Sequence, residues 1–397
     1  MPWRATCPMD ERMAFIAAYE REEVSLALLC RQFGVSRKSA YKWLARWAQE
    51  GAEGLRERSR APLRHPNALA PWAEEAALAV RRTHPTWGPR KVRAWLRSRR
   101  PAEAWPAAST LGALFTREGL TARRRLRRRA PPQGRPFAAC AGPNDVWTVD
   151  FKGWFPTGDG TRCEPLTLQD AHSRYLLRCQ ALCRADGGRA WAVVEAAFRE
   201  FGLPRALRSD NGPPFASRGA GGLSRLGVWL LKAGVLPERI APGHPEQNGR
   251  HERLHLTLKR ETASPPAGSL REQAGRFARF QRLYNEERPH EALGQEPPAR
   301  HYAPSPRPWT GRLVEPEYPE GCLVRRVRTN GEIKWRGGTL FVGEALTGEP
   351  VGLMEAGEGW RVFYSAVELG LVDHRGRLLP PRRAPWGPPG RPQGLVG

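Results

Sequence analysis

The stretch His-Pro-Glu-Gln-Asn-Gly-Arg-His-Glu-Arg-Leu-His-Leu-Thr-Leu-Lys-Arg-Glu, residues 244–261, decides how the centre of this chain is interpreted. The Asn248-Gly249 pair is typical of a turn. An amphipathic run follows it, with leucines four residues apart on one stripe, and this periodicity predicts a helix. Glu252 falls in the first turn or two of that helix, so a rigid element can aim its carboxylate.

Two more acidic residues lie where predicted strands end. The apolar run 146–152 includes Asp150, and the run 206–212 breaks at Asp210. Clustered carboxylates are ligands for hard divalent cations. Asp150 and Asp210, together with Glu252, therefore predict a cation site.

Three motifs, in this order, resemble those of the DDE integrase and transposase superfamily, and most closely those of bacterial insertion-sequence transposases. They are Trp-Thr-Val-Asp-Phe-Lys at 147–152, Arg-Ser-Asp-Asn-Gly-Pro-Pro-Phe at 208–215, and Gly-His-Pro-Glu-Gln-Asn-Gly-Arg-His-Glu-Arg at 243–253. The resemblance covers about residues 142–303 and implies a catalytic core with a ribonuclease-H-like fold. It also implies metal-dependent cleavage at transposon ends, followed by strand transfer into target DNA.

By this resemblance the three acids are the catalytic and metal-binding residues of a polynucleotidyl transferase. Asp150 would bridge two Mg²⁺ ions, Asp210 would hold one and Glu252 the other; Mn²⁺ accepts the same oxygen ligands. Two ions about 3.5–4 Å apart stabilise both the attacking and the leaving oxygen of an in-line displacement. A covalent protein intermediate is not implied.

The third acid has an alternative. Glu246 has the interval from Asp210 that is often seen in this superfamily, whereas Glu252 lies farther along the chain. The family's glutamate, however, sits four positions after the Asn of the Asn-Gly pair, and Glu252 fits that register. The glycine-rich stretch 219–222 can absorb the extra residues in a surface loop, so Glu252 is preferred over Glu246.

Helix and strand periodicity predict neighbours for these acids. Positions three and seven beyond Glu252 return to its helix face, which places His255 and Lys259 beside the metal-bearing surface and in reach of DNA phosphates. Lys152 lies two residues beyond Asp150 and faces the same way. Turns around the acids are predicted to be shaped by Asn211, Gly212, Asn248 and Gly249.

The first segment, 1–55, predicts a helix-turn-helix DNA-binding domain. The exposed face of its third helix would enter a major groove. The residues predicted to face DNA are Arg37, Lys38, Ser39, Tyr41 and Lys42. A three-helix module that binds protein is the alternative, and the basic charge of the chain favours DNA.

A linker at 56–70 precedes a second helix-turn-helix-like helical domain at 71–122. The segment 123–141 is a basic, proline-containing linker, which contacts the DNA backbone or is a solvated tether. Its clustered arginines are Arg123, Arg124, Arg125, Arg127, Arg128 and Arg129.

The strand and helix signals of 142–303 follow the order of an α/β ribonuclease-H-like core with a mixed five-stranded sheet and flanking helices. The predicted strands are 145–151, 163–169, 174–181, 205–209 and 238–241, and the predicted helices are 189–201, 222–233, 246–261 and 270–286. Short strands bounded by glycines at 304–380 predict a small SH3-like β-barrel that binds DNA or mediates oligomerisation. The tail, 381–397, is predicted to be disordered.

The composition points to a polyanionic partner. The chain has 397 residues, too many for one compact core, and carries 64 Lys and Arg against 40 Asp and Glu, for a net charge of +24. Such an excess favours nucleic acid, because cationic side chains release counterions from phosphates. The chain has no apolar run near the length of a membrane span and no signal peptide, so we expect a cytoplasmic bacterial protein that is nucleoid-associated when bound to DNA.

Two other groups of residues are assigned structural roles. Asp170 ends a predicted strand and is assigned to a hydrogen-bonded turn, outside the metal set. The seven cysteines are odd in number and scattered, which fits a reducing compartment. Cys163, Cys179 and Cys183 with His172 have poor spacing for zinc, and buried thiols on neighbouring strands are the preferred interpretation.

The sequence thus predicts a multidomain transposase that acts on double-stranded DNA. Because two transposon ends must be brought together, we expect a homo-oligomer, at least a dimer on DNA. The alternatives are a sequence-specific DNA-binding protein and a nuclease with an integrase-like core that does not join strands.

Overall fold

A computed structural model describes residues 7–59, 68–121, 140–217, 219–240, 249–357 and 359–381. The chain forms two compact units, Met1–Ala68 and Leu69–Gly397. None of the described helices combines the length and apolarity needed to cross a bilayer.

The first unit is a three-helix domain of the predicted helix-turn-helix type. Its helices are α1 (Pro8–Glu20), α2 (Leu26–Gln32) and α3 (Arg37–Glu50). Ser36 caps α3 by accepting a hydrogen bond from the Ser39 N–H group. The core is formed by apolar residues from all three helices and is centred on Ile16, Leu29 and Trp43.

The second unit begins with another three-helix domain, formed by α4 (Pro71–Thr83), α5 (Pro89–Arg99) and α6 (Ala108–Arg117). Proline occupies the first position of α4 and of α5, where its missing N–H has no helical partner to lose. Trp87, between these two helices, is fully buried in the core of this domain.

The centre of the second unit is a mixed sheet. Its strands are β1 (Val146–Phe151), β2 (Phe155–Pro156), β3 (Arg162–Asp170), β4 (Leu176–Leu182), β5 (Ala206–Ser209) and β6 (Leu236–Arg239). Strand β1 lies between β3 and β5, β4 pairs with the other edge of β3, and β6 pairs with β5. The β1–β5 and β5–β6 pairs are parallel and the others antiparallel. The described residues therefore form the predicted mixed sheet, with the short β2 in addition to the five predicted strands.

Helices cover both faces of this sheet. They are α7 (Gly187–Phe201), α8 (Arg225–Lys232), α9 (Gly249–Thr262) and α10 (Leu270–Glu286). Alternate residues of β1, including Trp147 and Val149, pack with α7 and α8 on one face. Helices α9 and α10 pack on the opposite face through Leu254 and Phe277. Because side chains alternate along a strand, Asp150 is directed to the α9 face.

The three-helix domain of α4 to α6 is docked on this core by polar contacts at the far end of α9. Lys91 Nζ donates a hydrogen bond to the Pro289 carbonyl. The Glu261 carboxylate accepts hydrogen bonds from the Thr86 hydroxyl and the Arg288 guanidinium. The Arg288 and Glu261 side chains are 8% and 18% exposed, so this ion pair is largely buried.

The C-terminal segment forms two antiparallel sheets. One contains β7 (Leu323–Arg326), β10 (Pro350–Ala356), β11 (Gly359–Tyr364), β12 (Val367–Val372) and β13 (Leu378–Leu379), and the other contains β8 (Glu332–Trp335) and β9 (Gly338–Phe341). Within the described ranges β8 and β9 pair with each other and with no strand of the larger sheet. The prediction of a closed SH3-like barrel is therefore not confirmed.

The larger C-terminal sheet shares a hydrophobic core with α8. Leu231 of α8 packs in the same cluster as Val351 of β10. Beside it, Lys232 Nζ lies 3.0 Å from Glu349 Oε1, and the Tyr364 hydroxyl donates to Glu349 at 3.0 Å. These contacts attach the C-terminal sheet to the domain formed by the mixed sheet and its helices.

Candidate active site

The register of β1 with β5 places two of the predicted acids at equivalent positions on neighbouring strands. Thr148 of β1 pairs with Arg208 of the parallel strand β5. Two residues farther along the chain lie Asp150, within β1, and Asp210, just past the end of β5. Neighbouring strands are about 4.8 Å apart, so this register places the backbones of Asp150 and Asp210 at neighbouring positions near the carboxyl ends of β1 and β5.

The turn after β5 fits the Asp210 carboxylate closely. Its Oδ1 accepts a hydrogen bond from the Gly212 N–H at 3.2 Å. A Cβ atom at Gly212 would lie 3.1 Å from Asp210 Oδ2, so a larger residue here would crowd the Asp210 carboxylate. Asn211 Nδ2 donates to the Ile240 carbonyl at 2.8 Å and ties the turn to the end of β6. Asn211 and Gly212 thus have the geometry of turn-shaping residues.

Partial burial raises the pKa of Asp210 above the usual value for an aspartate. The cause is desolvation, which disfavours the charged carboxylate. A divalent cation at this position would favour the ionised form and offset that penalty.

Helix α9 is anchored to the sheet directly beneath Asp150. Thr167 of β3 pairs with Asp150 in the β1–β3 ladder and is fully buried. Its hydroxyl lies 3.0 Å from His251 Nε2 and 2.8 Å from His255 Nε2. The other ring nitrogen of His255, Nδ1, lies 3.9 Å from Asp150 Oδ2. The Thr167 hydroxyl therefore fixes α9 next to the first acid.

Both histidines of this cluster are neutral. Burial lowers the pKa of His251 to about 4 and that of His255 to about 2. The Thr167 hydroxyl has one proton and two imidazole neighbours, so at least one of the rings donates its Nε2–H to the Thr167 oxygen.

His255 is therefore not the DNA-facing residue that helix periodicity predicts. It is 5% exposed and faces β3. Thr167 is not singled out by sequence reasoning, and the sequence pattern predicts that His251 contacts substrate or lies on a solvated helix face, whereas it is buried. The signal that could have found the pair is its four-residue spacing, which matches the buried Leu254–Leu258 spacing.

Glu252 lies in the first turn of α9 and is exposed. It is three positions before His255, and side chains with this spacing have Cβ atoms about 5–6 Å apart. In the part of the chain that the structure describes, no three His, Cys, Asp or Glu side chains form a group that could hold a metal ion. Glu252 thus lies one helical neighbour away from the ring that contacts Asp150, and its carboxylate is not assembled with the aspartate pair. Glu246 and Asn248 lie outside the described residues, and Gly249 is the first residue of α9.

Lys152 and Lys259, which sequence reasoning placed near the acids separately, line the same surface groove. Lys152 is half-buried and follows β1, whereas Lys259 is exposed on α9. The groove also contains Trp154, whose side chain is 60% exposed. The sequence motifs do not indicate that Trp154 lies in this groove.

The donor set of the aspartate pair fits a hard divalent cation. Asp150 and Asp210 present carboxylate oxygens, the ligands that Mg²⁺ prefers, and Mg²⁺ retains several waters with only one or two protein carboxylates. The nearest nitrogen ligand, His255, is committed to Thr167 through Nε2. The two carboxylates therefore suit an oxygen-coordinated ion.

Asp170 has the turn role predicted for it. It is fully buried, and Oδ1 accepts hydrogen bonds from the Ser173 N–H at 2.7 Å and the Ser173 hydroxyl at 2.6 Å. Oδ2 accepts from the Asn144 N–H at 2.8 Å. Its oxygens are thus used to hold the β3–β4 turn, and the predicted turn role is confirmed.

Cys163 and Cys179 are buried on the neighbouring strands β3 and β4, as the thiol interpretation predicts. Burial raises the pKa of the Cys163 thiol to about 12 and also raises that of Cys179. Both side chains pack beneath α9 and α10. They are apolar core residues, and Cys183 is exposed.

Comparison with protein families places integrase domains on this core. Models described as "Integrase core domain" match residues 141–245 and 233–298. Models described as "Helix-turn-helix domain" and "Homeodomain-like domain" match residues 11–62 and 39–115. A model described as "IS481 family transposase, C-terminal domain" matches residues 322–378.

Two curated relatives come from bacterial insertion elements. The insertion element IS476 uncharacterized 39.2 kDa protein of Xanthomonas euvesicatoria is 27% identical over 302 residues, which are 76% of this chain and 79% of that protein. The insertion element IS407 uncharacterized 31.7 kDa protein of Burkholderia multivorans is 30% identical over 201 residues, which are 49% of this chain and 70% of that protein. The chain belongs to the insertion-sequence transposases of the integrase superfamily. Membership supports transposition-type DNA integration and places the transposase among the polynucleotidyl transferases.

Solved structures with similarity to the transposase include the HTLV-2 integrase catalytic core domain in complex with magnesium. That match has a TM-score of 0.33 and 14% identity, and covers 41% of this chain and 99% of that one. A simian T-cell lymphotropic virus intasome in complex with the PP2A regulatory subunit B56 gamma matches with a TM-score of 0.37 and 15% identity, over 72% of this chain and 91% of that one.

The helix-turn-helix residues of the transposase form an exposed basic edge on α3. Arg37, Lys38, Tyr41 and Lys42 are exposed. Ser39 is half-buried and hydrogen-bonded to the capping Ser36. The arginines of the 123–129 segment lie outside the described residues.

Proposed function

We propose that this transposase cleaves phosphodiester bonds at the ends of its element and joins the released 3′-hydroxyl to target DNA. The observation that carries the proposal is the alignment of Asp150 with Asp210 beside a helix that bears Glu252. The Asp150–Thr167 pairing and the two histidine contacts hold that helix at the sheet.

Asp150, Asp210 and Glu252 are the proposed metal ligands, with Asp150 shared between two Mg²⁺ ions. When bound, such ions stabilise the attacking and leaving oxygens of an in-line displacement, and Mn²⁺ can substitute. Asp150 and Asp210, which the strand register places at neighbouring positions, would form one half of the site. Glu252 is exposed and unpacked, so its side chain can rotate toward them when ion and DNA bind.

In this proposal the basic surfaces of the chain bind DNA. The α3 residues contact a major groove, and Lys152 and Lys259 hold phosphates at the transposon end. The arginines at 123–129 contact the backbone between the second helical domain, 71–122, and the catalytic core, 142–303. Because two ends are joined in one reaction, the working form is at least a dimer on DNA.

The test is a strand-transfer assay in Mg²⁺ with a linear duplex that bears the element's own ends. We expect the unaltered chain to cut and join, and Glu252→Gln to bind the duplex without cutting. Glu246→Gln is the matched control, since it removes the alternative acid in the same segment and should remain active. An active Glu252→Gln protein would overturn the assignment of the third acid.

The same assay separates the alternatives. A sequence-specific DNA-binding protein would retain the duplex without cutting it under any metal condition. A nuclease would release the end without producing joined products. Either result with the unaltered chain would replace the proposed function.

A further inference from the structure

A groove lies beside the acids, between the loop that follows β1 and the middle of α9. Lys152 and Trp154 line one side, Lys259 lines the other, and Leu258 and Phe277 form an apolar floor. Its combination of cations at the rim and apolar groups below suits a ligand with a phosphate and a flat ring.

Trp154 is held as a platform, although its side chain is 60% exposed. The Arg162 guanidinium lies 4.9 Å from the Trp154 ring centroid and backs the indole. The turn that projects Trp154 depends on Gly153, whose φ of +81° favours glycine. Just before it, the Lys152 N–H donates to the Pro165 carbonyl at 2.9 Å, so the loop leaves the sheet at a fixed point.

The charge of the groove selects an anion. Among the described residues that line it, none is acidic, and the two ammonium groups come from different elements. Base-to-aromatic stacking accepts any base, and paired lysines hold the backbone phosphate. An apolar peptide segment would leave Lys152 and Lys259 without a counter-charge, so a nucleotide fits the groove better than a protein partner.

The groove lies about one nucleotide away from Asp150. Pro165, in the groove floor, is two residues from Thr167, the partner of Asp150 in the ladder. Two residues of an antiparallel strand span about 7 Å. A nucleotide in the groove would therefore be next to the one whose phosphate lies at Asp150.

We propose that this groove receives an unpaired nucleotide from the transposon end, with its phosphate between Lys152 and Lys259 and its base stacked on Trp154. The proposal rests on the proposed function and assigns one part of it: the site takes an end whose flanking base pair is open. Stacking on Trp154 would offset the loss of that pair.

The first test measures cleavage of fully paired ends and of ends with mismatches beside the cleavage position. Trp154→Leu is expected to slow cleavage of paired ends roughly 10- to 100-fold, the effect of losing one stacked base. On mismatched ends the deficit should shrink to a few-fold, since the pair is already open. Trp154→Phe keeps an aromatic platform and should stay close to the unaltered chain on both substrates.

The second test does not require cleavage. A 5-iodouracil base is placed at each position near the end, the complex is formed in Ca²⁺ and irradiated, and cross-linked peptides are identified. We expect a cross-link at Trp154 from one position, absent in Trp154→Leu. Thermal unfolding of the variant should match that of the unaltered chain, because the indole is mostly exposed.

Equal deficits of Trp154→Leu on paired and mismatched ends, or cross-links that do not depend on Trp154, would overturn this inference. These outcomes differ from failure of the proposed function. If the unaltered chain cuts neither substrate, the catalytic proposal fails, whereas the cross-link still reports whether the groove holds a base.

Discussion

The contact most open to a quantitative test is the Thr167 hydroxyl beneath the acids. Replacing Thr167 with valine keeps the shape of the side chain and removes the oxygen. His251 Nε2 and His255 Nε2, at 3.0 and 2.8 Å from that oxygen, then lose a buried partner. Both rings are almost fully buried, so water does not replace the hydroxyl.

The expected cost follows from those two nitrogens. A buried polar group left without a partner costs about 1–3 kcal/mol. Two such groups, with partial relaxation of α9, predict a loss of about 2–4 kcal/mol in the free energy of unfolding. For a large domain this corresponds to a fall of roughly 5–15 °C in the melting temperature.

The assay is urea unfolding followed by tryptophan fluorescence, with Thr148→Val as the matched control. Thr148 is a half-buried residue on the same sheet face and donates to the Gln169 carbonyl at 3.2 Å. Removing that single hydrogen bond should cost about 1 kcal/mol or less. Thr167→Ser, which restores the oxygen, should recover most of the stability and of the strand-transfer rate.

A Thr167→Val protein within about 0.5 kcal/mol of the unaltered chain would refute this reasoning, since differences that small are typical of surface substitutions. Equal losses for Thr167→Val and Thr148→Val would also refute it. The two histidines would then be held by packing, and the hydroxyl would not fix α9.

Three further results are expected. Arg288→Met should destabilise the fold by about 3–5 kcal/mol because it leaves the largely buried Glu261 carboxylate without its cationic partner. The double variant Arg288→Met/Glu261→Gln should lose less free energy of unfolding than the two single variants added together, which a double-mutant cycle in urea measures. Burial lowers the pKa of His290 to about 3, so between about pH 3 and pH 6.5 the unfolded chain binds a proton that the folded chain does not. The contribution of His290 to stability is therefore complete above pH 6.5 and falls by about 1.4 kcal/mol per pH unit below it. When the free energy of unfolding is plotted against pH in this range, the slope for His290→Leu should be shallower by that amount. Mg²⁺ should raise the melting temperature of the unaltered chain and leave that of Asp150→Asn unchanged, because a ligand stabilises only the state that binds it.

Much of the core could be predicted because its signals are local. Apolar alternation and helical periodicity correctly indicated the strands that carry Asp150 and precede Asp210, and the helix that carries Glu252. The turn role of Asp170 followed from the residue types around it. The level alignment of the two aspartates required knowledge of the β1–β5 register, which a strand pattern does not contain.

The missed features depend on contacts between distant segments. The groove joins Trp154 to Lys259, more than a hundred residues farther along the chain, and no local pattern links them. The inward direction of His255 is set by a hydroxyl on β3, which competes with the tendency of a polar residue to face solvent. The C-terminal barrel is not confirmed, because the strand pattern of β8 and β9 does not show that they pair only with each other in the described part of the chain.

Because the second helical domain contacts Glu261, helix α9 sets the distance between that domain and Glu252. Glu252 and Glu261 are nine positions apart on one helix, which is about 13.5 Å. That length equals about four base-pair steps of B-DNA. If the domain of α4 to α6 binds the duplex, the rigid helix α9 fixes the distance from that domain to the acids. The spacing between the bases that this domain contacts and the bond that is cut would then be set by the length of α9. It would tolerate little variation among element ends.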